Sequence, residues 1–298
     1  MQYREQWILR IVVVSPWLVL AATLCLLGGN IQKFEFIYLW FLLVGYALNM
    51  LGLEIGYHRL FAHRAFQTYP VIRGILLILG SSAAVGPIFG WASTHRCHHQ
   101  HSDSLGDPHT PHKQWGGVTS RIRGLWHAHI GWLWNYNMEM AEYRRVLDLV
   151  NDPILYRYGR IPTYWAWVIM GFMLPGVVGW GVTREYIGAL QSFLWGGVLR
   201  VLLAQNLGFA VNSLGHSFGS RPFETDDQSR DNMWLVLPTL GSGWQNTHHA
   251  FPRSYSNQWH WRRPDPGGWI IRLMEGLGLA WDMKFPSVRE IEARKIAE

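Results

Sequence analysis

The sequence predicts an all-α integral membrane protein, with four transmembrane helices in two hairpins and a helical cap on the cytoplasmic side. Three observations lead there. Hydrophobic residues make up 49% of the 298 residues and charged residues only 15%, against about a quarter charged in ordinary soluble domains. Four apolar runs are long enough to cross a bilayer. The 18 tryptophans suit a chain that meets the membrane–water interface.

The first run, residues 11–28, carries no charge, and the second, 35–53, carries none after Glu35. A short turn around Asn30 and Lys33 would join them as a hairpin. The first run reads as a span rather than a cleaved signal, because it is long and a second run follows at once. Residues 162–181 and 188–211 form the other hairpin, linked through Arg184 and Glu185. Its second arm holds Arg200, which should face the protein interior or a wet cavity. Both hairpins return to the side that holds residues 58–160 and 212–298. That side is rich in arginine (Arg121, Arg123, Arg144, Arg145, Arg262, Arg263), which places it, and both termini, in the cytoplasm. Residues 70–92 are apolar but contain Arg73 and Pro87. They read as a helix pair lying on, or dipping into, the membrane surface. No repeat or linker divides the chain, so one integrated domain over 1–298 is expected. Two cysteines, Cys25 and Cys97, form no disulfide framework and fit a reducing compartment. The net charge of +6 suits an anionic membrane surface or an acidic partner. It shows no stripe of the kind that binds nucleic acid.

The chain has 14 histidines, and many sit in short motifs at the cytoplasmic ends of the apolar runs. "HRLFAH" supplies His58 and His63. In an unbroken α-helix five residues overshoot a full turn by about 140°, so this pair should straddle a helix end. "HRCHH" supplies His95, His98 and His99, whose i, i+3, i+4 spacing shares one helix face. "NSLGH" places Asn212 one turn before His216. "QNTHH" gives Gln245, His248 and His249 the same spacing as the second motif. Each motif alone suits a polar surface or satisfied core histidines. Eight imidazoles converging without a cation would leave many buried polar groups to satisfy. The pattern therefore predicts a dimetal site, since eight ligands exceed what one ion takes. Imidazole does not by itself name the metal.

The order HxxxxH, HxxHH, NSxxH, xNxHH between two hairpins resembles the membrane-bound acyl desaturases of the stearoyl-CoA desaturase type. The likeness covers residues 58–285 and includes "HHQHSDSLGDPHTP", "NSLGHSFGSRPFETDDQSRDN", "HHAFP" and "LGLAWD". It implies two iron ions (Fe2+) that activate O2, held by His58, His63, His95, His98, His99, His216, His248 and His249, with Asn212 reaching a metal through water. It also implies a fatty acyl substrate on CoA, on an acyl carrier protein or in a lipid, and a separate electron donor such as ferredoxin or a cytochrome b-type protein. "DPGG" at 265–268 resembles a haem-binding HPGG but lacks the histidine, so the chain is expected to carry no donor of its own. Asp103, Asp107 and Asp227 are candidates to accept the outer N–H of the imidazoles. Trp91, Arg121 and Arg123 are candidates to contact substrate, with packing or solvation as the plain alternatives. The other histidines (His101, His109, His112, His127, His129, His260) read as loop or supporting groups.

The chain departs from the family pattern in three places. Gln245 stands where the family has a histidine, and Ser242 where it has a glutamate. Ser93 and Thr94 replace an Arg-Asp pair that contacts CoA in the animal enzymes, so CoA is not supported as the carrier. Three functions remain in view. The first is insertion of a double bond into an acyl chain. The second is a related oxidation by an acetylenase or hydroxylase. The third, from another class, is a non-catalytic haem- or metal-handling membrane protein.

Overall fold

The computed structural model describes residues 2–28, 35–113, 119–135 and 143–296. In chain order its principal helices are α1 (Gln2–Leu27), α2 (Phe36–Ala62), α3 (Pro70–Ser81), α4 (Ile88–His101), α5 (Ser120–Trp126), α6 (Ile161–Thr183), α7 (Tyr186–Leu214), α8 (Gln245–Ala250) and α9 (Pro266–Gly276). Among the described residues four stretches are long and apolar enough to cross a membrane: Arg10–Leu27 of α1, α2, α6 and α7. These are the four runs expected. The turn at Asn30 and Lys33 lies outside the described residues. At the second link only Arg184 and Glu185 separate α6 from α7, and Arg184 turns the chain in a left-handed conformation (φ 58°).

The second run extends nine residues beyond its expected end. Phe36–Met50 is α-helical, but Leu51–Ala62 is wound more widely as a π-helix, in which N–H bonds to the carbonyl five residues back. This segment packs against α3 at very close range. A Cβ at Gly52 would lie 2.1 Å from the Gly80 backbone nitrogen, so only glycine allows the approach. α3 has 12 residues and α4 has 14, each too short to cross a bilayer at 1.5 Å per residue. They form the helix pair expected for residues 70–92, with a turn at 82–87.

The two arms of the second hairpin play different parts. Only 11% of the apolar window in α6 is buried, against 61% in α7. α7 is thus the inner helix, which explains how it holds Arg200: the guanidinium is 3% exposed and turned inward, as the sequence required. The fold is not purely helical. Gln67–Thr68 pairs antiparallel with Ala280–Trp281, tying the C-terminal segment to the chain just beyond α2.

Candidate metal centre

The π-winding decides where the first two histidines point. The wider turn closes its hydrogen bond over five residues, and the His63 N–H bonds to the His58 carbonyl at 3.1 Å. The two rings meet at 4.8 Å. The expectation that the pair straddles the helix end holds, since His63 is the residue that caps α2. The further expectation that an unbroken helix would separate them assumed α-winding, and the wider turn removes it.

His95, His98 and His99 all lie on α4, and His248 and His249 on α8. The eight histidines fall into two groups. His58, His63, His95, His99 and His248 place their donor nitrogens within 4.8 Å of one another, and so do His98, His216 and His249. In the first group Nε2 faces Nε2 between His63 and His95 (2.7 Å), His58 and His248 (3.0 Å), and His99 and His248 (3.0 Å). His58 gives its Nδ1 proton to the Glu54 carboxylate at 2.8 Å, which can only accept. Its Nε2 is then a lone pair aimed at other imidazoles, an arrangement that a cation satisfies. In the second group His98 Nε2 is buried with no hydrogen-bond partner among the described residues.

Acids orient the second group from behind. The Nδ1 atoms of His98, His216 and His249 donate to Asp107 (3.0 Å), Asp103 (2.8 Å) and Asp227 (2.5 Å). All three aspartates singled out in the sequence therefore hold imidazoles. Burial alone would raise the Asp103 carboxyl, but the bond and charge of His216 bring it down to about 2. Asp107 and Asp227 are likewise held well below the usual range, against burial, by His98 and His249. Burial, reinforced by neighbouring imidazoles, lowers His63, His95, His99 and His248 well below 6.5. These rings are neutral at pH 7, the form that binds metal.

Gln245 completes the second group. Its amide lies 3.1 Å from His249 Nε2 and 3.4 Å from His216 Nε2. Turning the amide over exchanges nitrogen for oxygen and presents the oxygen to the same spot. Asn212, half-buried on α7, and Gln245 both line a cavity of about 150 Å³, with His58, His95 and Trp91. Trp91 stacks on His95 at 5.1 Å. Arg121 and Arg123 are exposed and do not line the cavity; Arg121 lies over Phe218 at 4.9 Å. Exposed on α5, they stand where a phosphate or an acidic carrier outside the cavity would meet them, or where solvent does.

Sequence reasoning missed Glu54. Glu54 is 2% exposed and holds both His58 and Arg59. The signal was a lone acid one helical turn before a histidine in an apolar run. Ser242 donates its hydroxyl to the same carboxylate, so this departure from the family has a partner in the fold. Arg59 also pairs with Asp265, at 2.8 and 2.9 Å. "DPGG" is thus an anchor for a buried arginine, with Pro266 opening α9. His109, read as a loop or supporting group, is buried against His98 at 4.3 Å and lines the cavity.

Imidazoles that converge beside an apolar chamber, in a chain with four helices long enough to cross a membrane, are the donor set of a membrane metal centre. Comparison with known proteins narrows the class. The profile "Fatty acid desaturase" matches residues 35–265. The chain is 41% identical to the hex-5-enoyl-[acyl-carrier protein] acetylenase of Moorena producens (strain JHB), over 86% of this chain and 80% of that protein. It is 34% identical to stearoyl-CoA desaturase 5 of Bos taurus, covering 84% and 72%. It is 32% identical to delta-9 acyl-lipid desaturase 1 of Arabidopsis thaliana, covering 86% and 77%. The chain belongs to the fatty acid desaturase family, and is an integral membrane oxidoreductase that modifies fatty acyl chains. The non-catalytic metal-handling reading falls with that membership.

Proposed function

We propose that the protein is an O2-dependent di-iron enzyme that introduces a double bond into an acyl chain lying in the chamber beside the histidines. The observation that carries this reading is the division of the eight imidazoles into groups of five and three around one apolar cavity. His58, His63, His95, His99 and His248 would hold one iron. His98, His216 and His249 would hold the other, with Gln245 as a weak fourth donor and Asn212 acting through water. Bound iron, with O2 and electrons from a separate donor, supplies the one-electron oxidation that an unactivated C–H bond requires.

The chain's own residues do the rest. Asp103, Asp107, Asp227 and Glu54 fix the tautomer and direction of four imidazoles and raise their donor strength. Three carboxylates stand behind the group that has fewer nitrogens, which offsets the missing histidine at 245. Trp91 and the apolar wall hold the chain and keep water from the reacting bond. The domain is a single unit. Residues 58–160 and 212–298 form its cytoplasmic cap, both termini lie on that side, and a soluble donor such as ferredoxin or a cytochrome b-type protein reaches it there. Ser93 and Thr94 give no support to a CoA headgroup, so an acyl carrier protein or a lipid is the favoured carrier.

A second reading is conversion of an existing double bond to a triple bond. It is supported by the likeness to a protein named as an acetylenase and by Gln245 beside His249. Deuterium-labelled saturated and monounsaturated acyl chains should be supplied to membranes containing the protein, iron and a reducing system. Mass spectrometry then reads the outcome. Loss of two hydrogen isotopes from the saturated chain supports desaturation, and their loss from the unsaturated chain alone supports acetylenic bond formation. His98→Ala and His249→Ala should each abolish product and lower iron content. Zinc as the sole metal of active protein would overturn the proposal.

A further inference from the structure

The cavity has a deep end, and that end is closed by polar groups. α2 and α7 both run toward the histidines. Met50 on α2 and Ala204 on α7 are the cavity-lining residues farthest from them along each helix. Ala204 precedes Asn212 by eight residues, about 12 Å of α-helix, and Met50 precedes His58 by as many over the more tightly stacked π-segment. Immediately beyond lies Arg200, one turn before Ala204. Its Nη1 donates to the Asn49 side chain and, at 3.3 Å, to the Ser82 carbonyl, and its Nη2 to the Gly171 carbonyl at 2.6 Å. Asn49 in turn donates to Ser82 Oγ at 2.8 Å. Gln205, on the cavity wall, donates to the carbonyls of Val12 (2.8 Å) and Ala84 (2.6 Å). Asn49, Gln205 and Arg200 are 0%, 1% and 3% exposed.

An apolar plug in this position would swing aside for a longer chain. This floor does not, because displacing Arg200 or Gln205 would strip several buried hydrogen bonds at once in a medium that offers no replacements. At this end Met50, an unbranched and adaptable side chain, can yield, and one turn deeper Tyr46 is fixed by its hydroxyl to the Pro238 carbonyl. The chamber is also small: at about 150 Å³ it matches engineered cavities that hold one benzene, about six carbon atoms.

We infer that the protein acts on short acyl chains, of about six to eight carbons, and that Met50 above the Arg200–Asn49–Ser82 brace sets the limit. This rests on the acyl-chain reading of the chamber. Gly208 lines the same cavity and has nothing within 4 Å of a Cβ built on it, so a side chain there would fill the chamber without a clash.

The test measures binding of S-alkyl pantetheine thioethers with six, eight, twelve and sixteen carbons to purified, iron-loaded protein without reductant, read by thermal shift. In an open-ended tunnel each added methylene tightens binding by about fourfold. Here affinity should rise from six to eight carbons and then fall. Met50→Ala should move the optimum a few carbons longer, and Gly208→Leu should abolish binding of the eight-carbon probe. A sixteen-carbon probe that binds most tightly to the wild type, or a profile unmoved in both variants, overturns the inference. Turnover is scored separately. Binding with the expected length profile but no product at any length would overturn the desaturase reading and leave the length limit standing. Product from sixteen-carbon chains would do the reverse.

Discussion

At the scale of single residues, the carboxylates behind the imidazoles matter as much as the imidazoles. Asp227 accepts from His249 at 2.5 Å and from both the backbone and hydroxyl of Ser229. Asp227→Asn keeps the shape and removes the charge that strengthens the His249 donor. Iron affinity of the three-histidine group should fall by about 10- to 100-fold, measured as iron retained against a graded chelator. Gln245 gives the opposite test. Gln245→His adds a stronger donor between His216 and His249, so iron retention should rise. The product ratio should change with it, because a position that Gln245 holds loosely becomes closed. Unchanged iron and products in both Gln245→His and Gln245→Ala would reduce Gln245 to a spacer.

At the scale of elements, the π-wound half of α2 is the piece on which the five-histidine group depends. It brings His58 and His63 together, carries Glu54 and Arg59, and leans on α3 through Gly52, Gly56 and Gly80. Gly52→Ala places a methyl group where the α3 backbone stands. The helices must part, at a cost of about 1–3 kcal/mol, read as a lower midpoint in detergent unfolding. The same variant should release iron more readily than wild type, because parting the helices shifts His58 and His63 against α4. Retained iron with lowered stability would mean that the winding does not depend on this contact. Arg59 provides a second anchor: its pairs with Glu54 and Asp265 link α2 to the start of α9, far along the chain.

At the scale of the whole molecule, the proposed topology puts every histidine motif on one side of the membrane. Single cysteines introduced on either side should label accordingly. A membrane-impermeant reagent applied to intact cells should reach Arg184→Cys at the α6–α7 link and leave Leu105→Cys and Trp261→Cys unmodified. Leu105 and Trp261 are 100% and 74% exposed, so protection there reports sidedness rather than burial. Labelling of Leu105→Cys from outside would mean that α3 and α4 together cross the bilayer.

The sequence by itself located the four long apolar runs, the clustered histidines and three acids close to them. Spans are legible because hydrocarbon demands a long uninterrupted run, and i, i+3, i+4 imidazoles are legible because a helix repeats every 3.6 residues. His95, His98 and His99 were legible as one cluster on this ground, although not that His98 would join a different group. Asp103, Asp107 and Asp227 were legible as acids close to the motifs, although not which ring each would hold. Other features depended on packing between segments distant in the chain. The π-winding of Leu51–Ala62 coincides with glycines that meet across α2 and α3, and no local pattern announces that contact. The sorting into five and three follows from how α8 lies against α4 and α2: His248 and His249 are adjacent in sequence yet enter different groups. Glu54 reads as an odd charge in a membrane run until Ser242 and Arg59 stand beside it. Arg200 was expected to face inward, but only the meeting of α2, α3, α6 and α7 around it turns an isolated charge into the floor of a chamber. A periodicity is a property of one segment, whereas a cavity and its depth belong to the space between several.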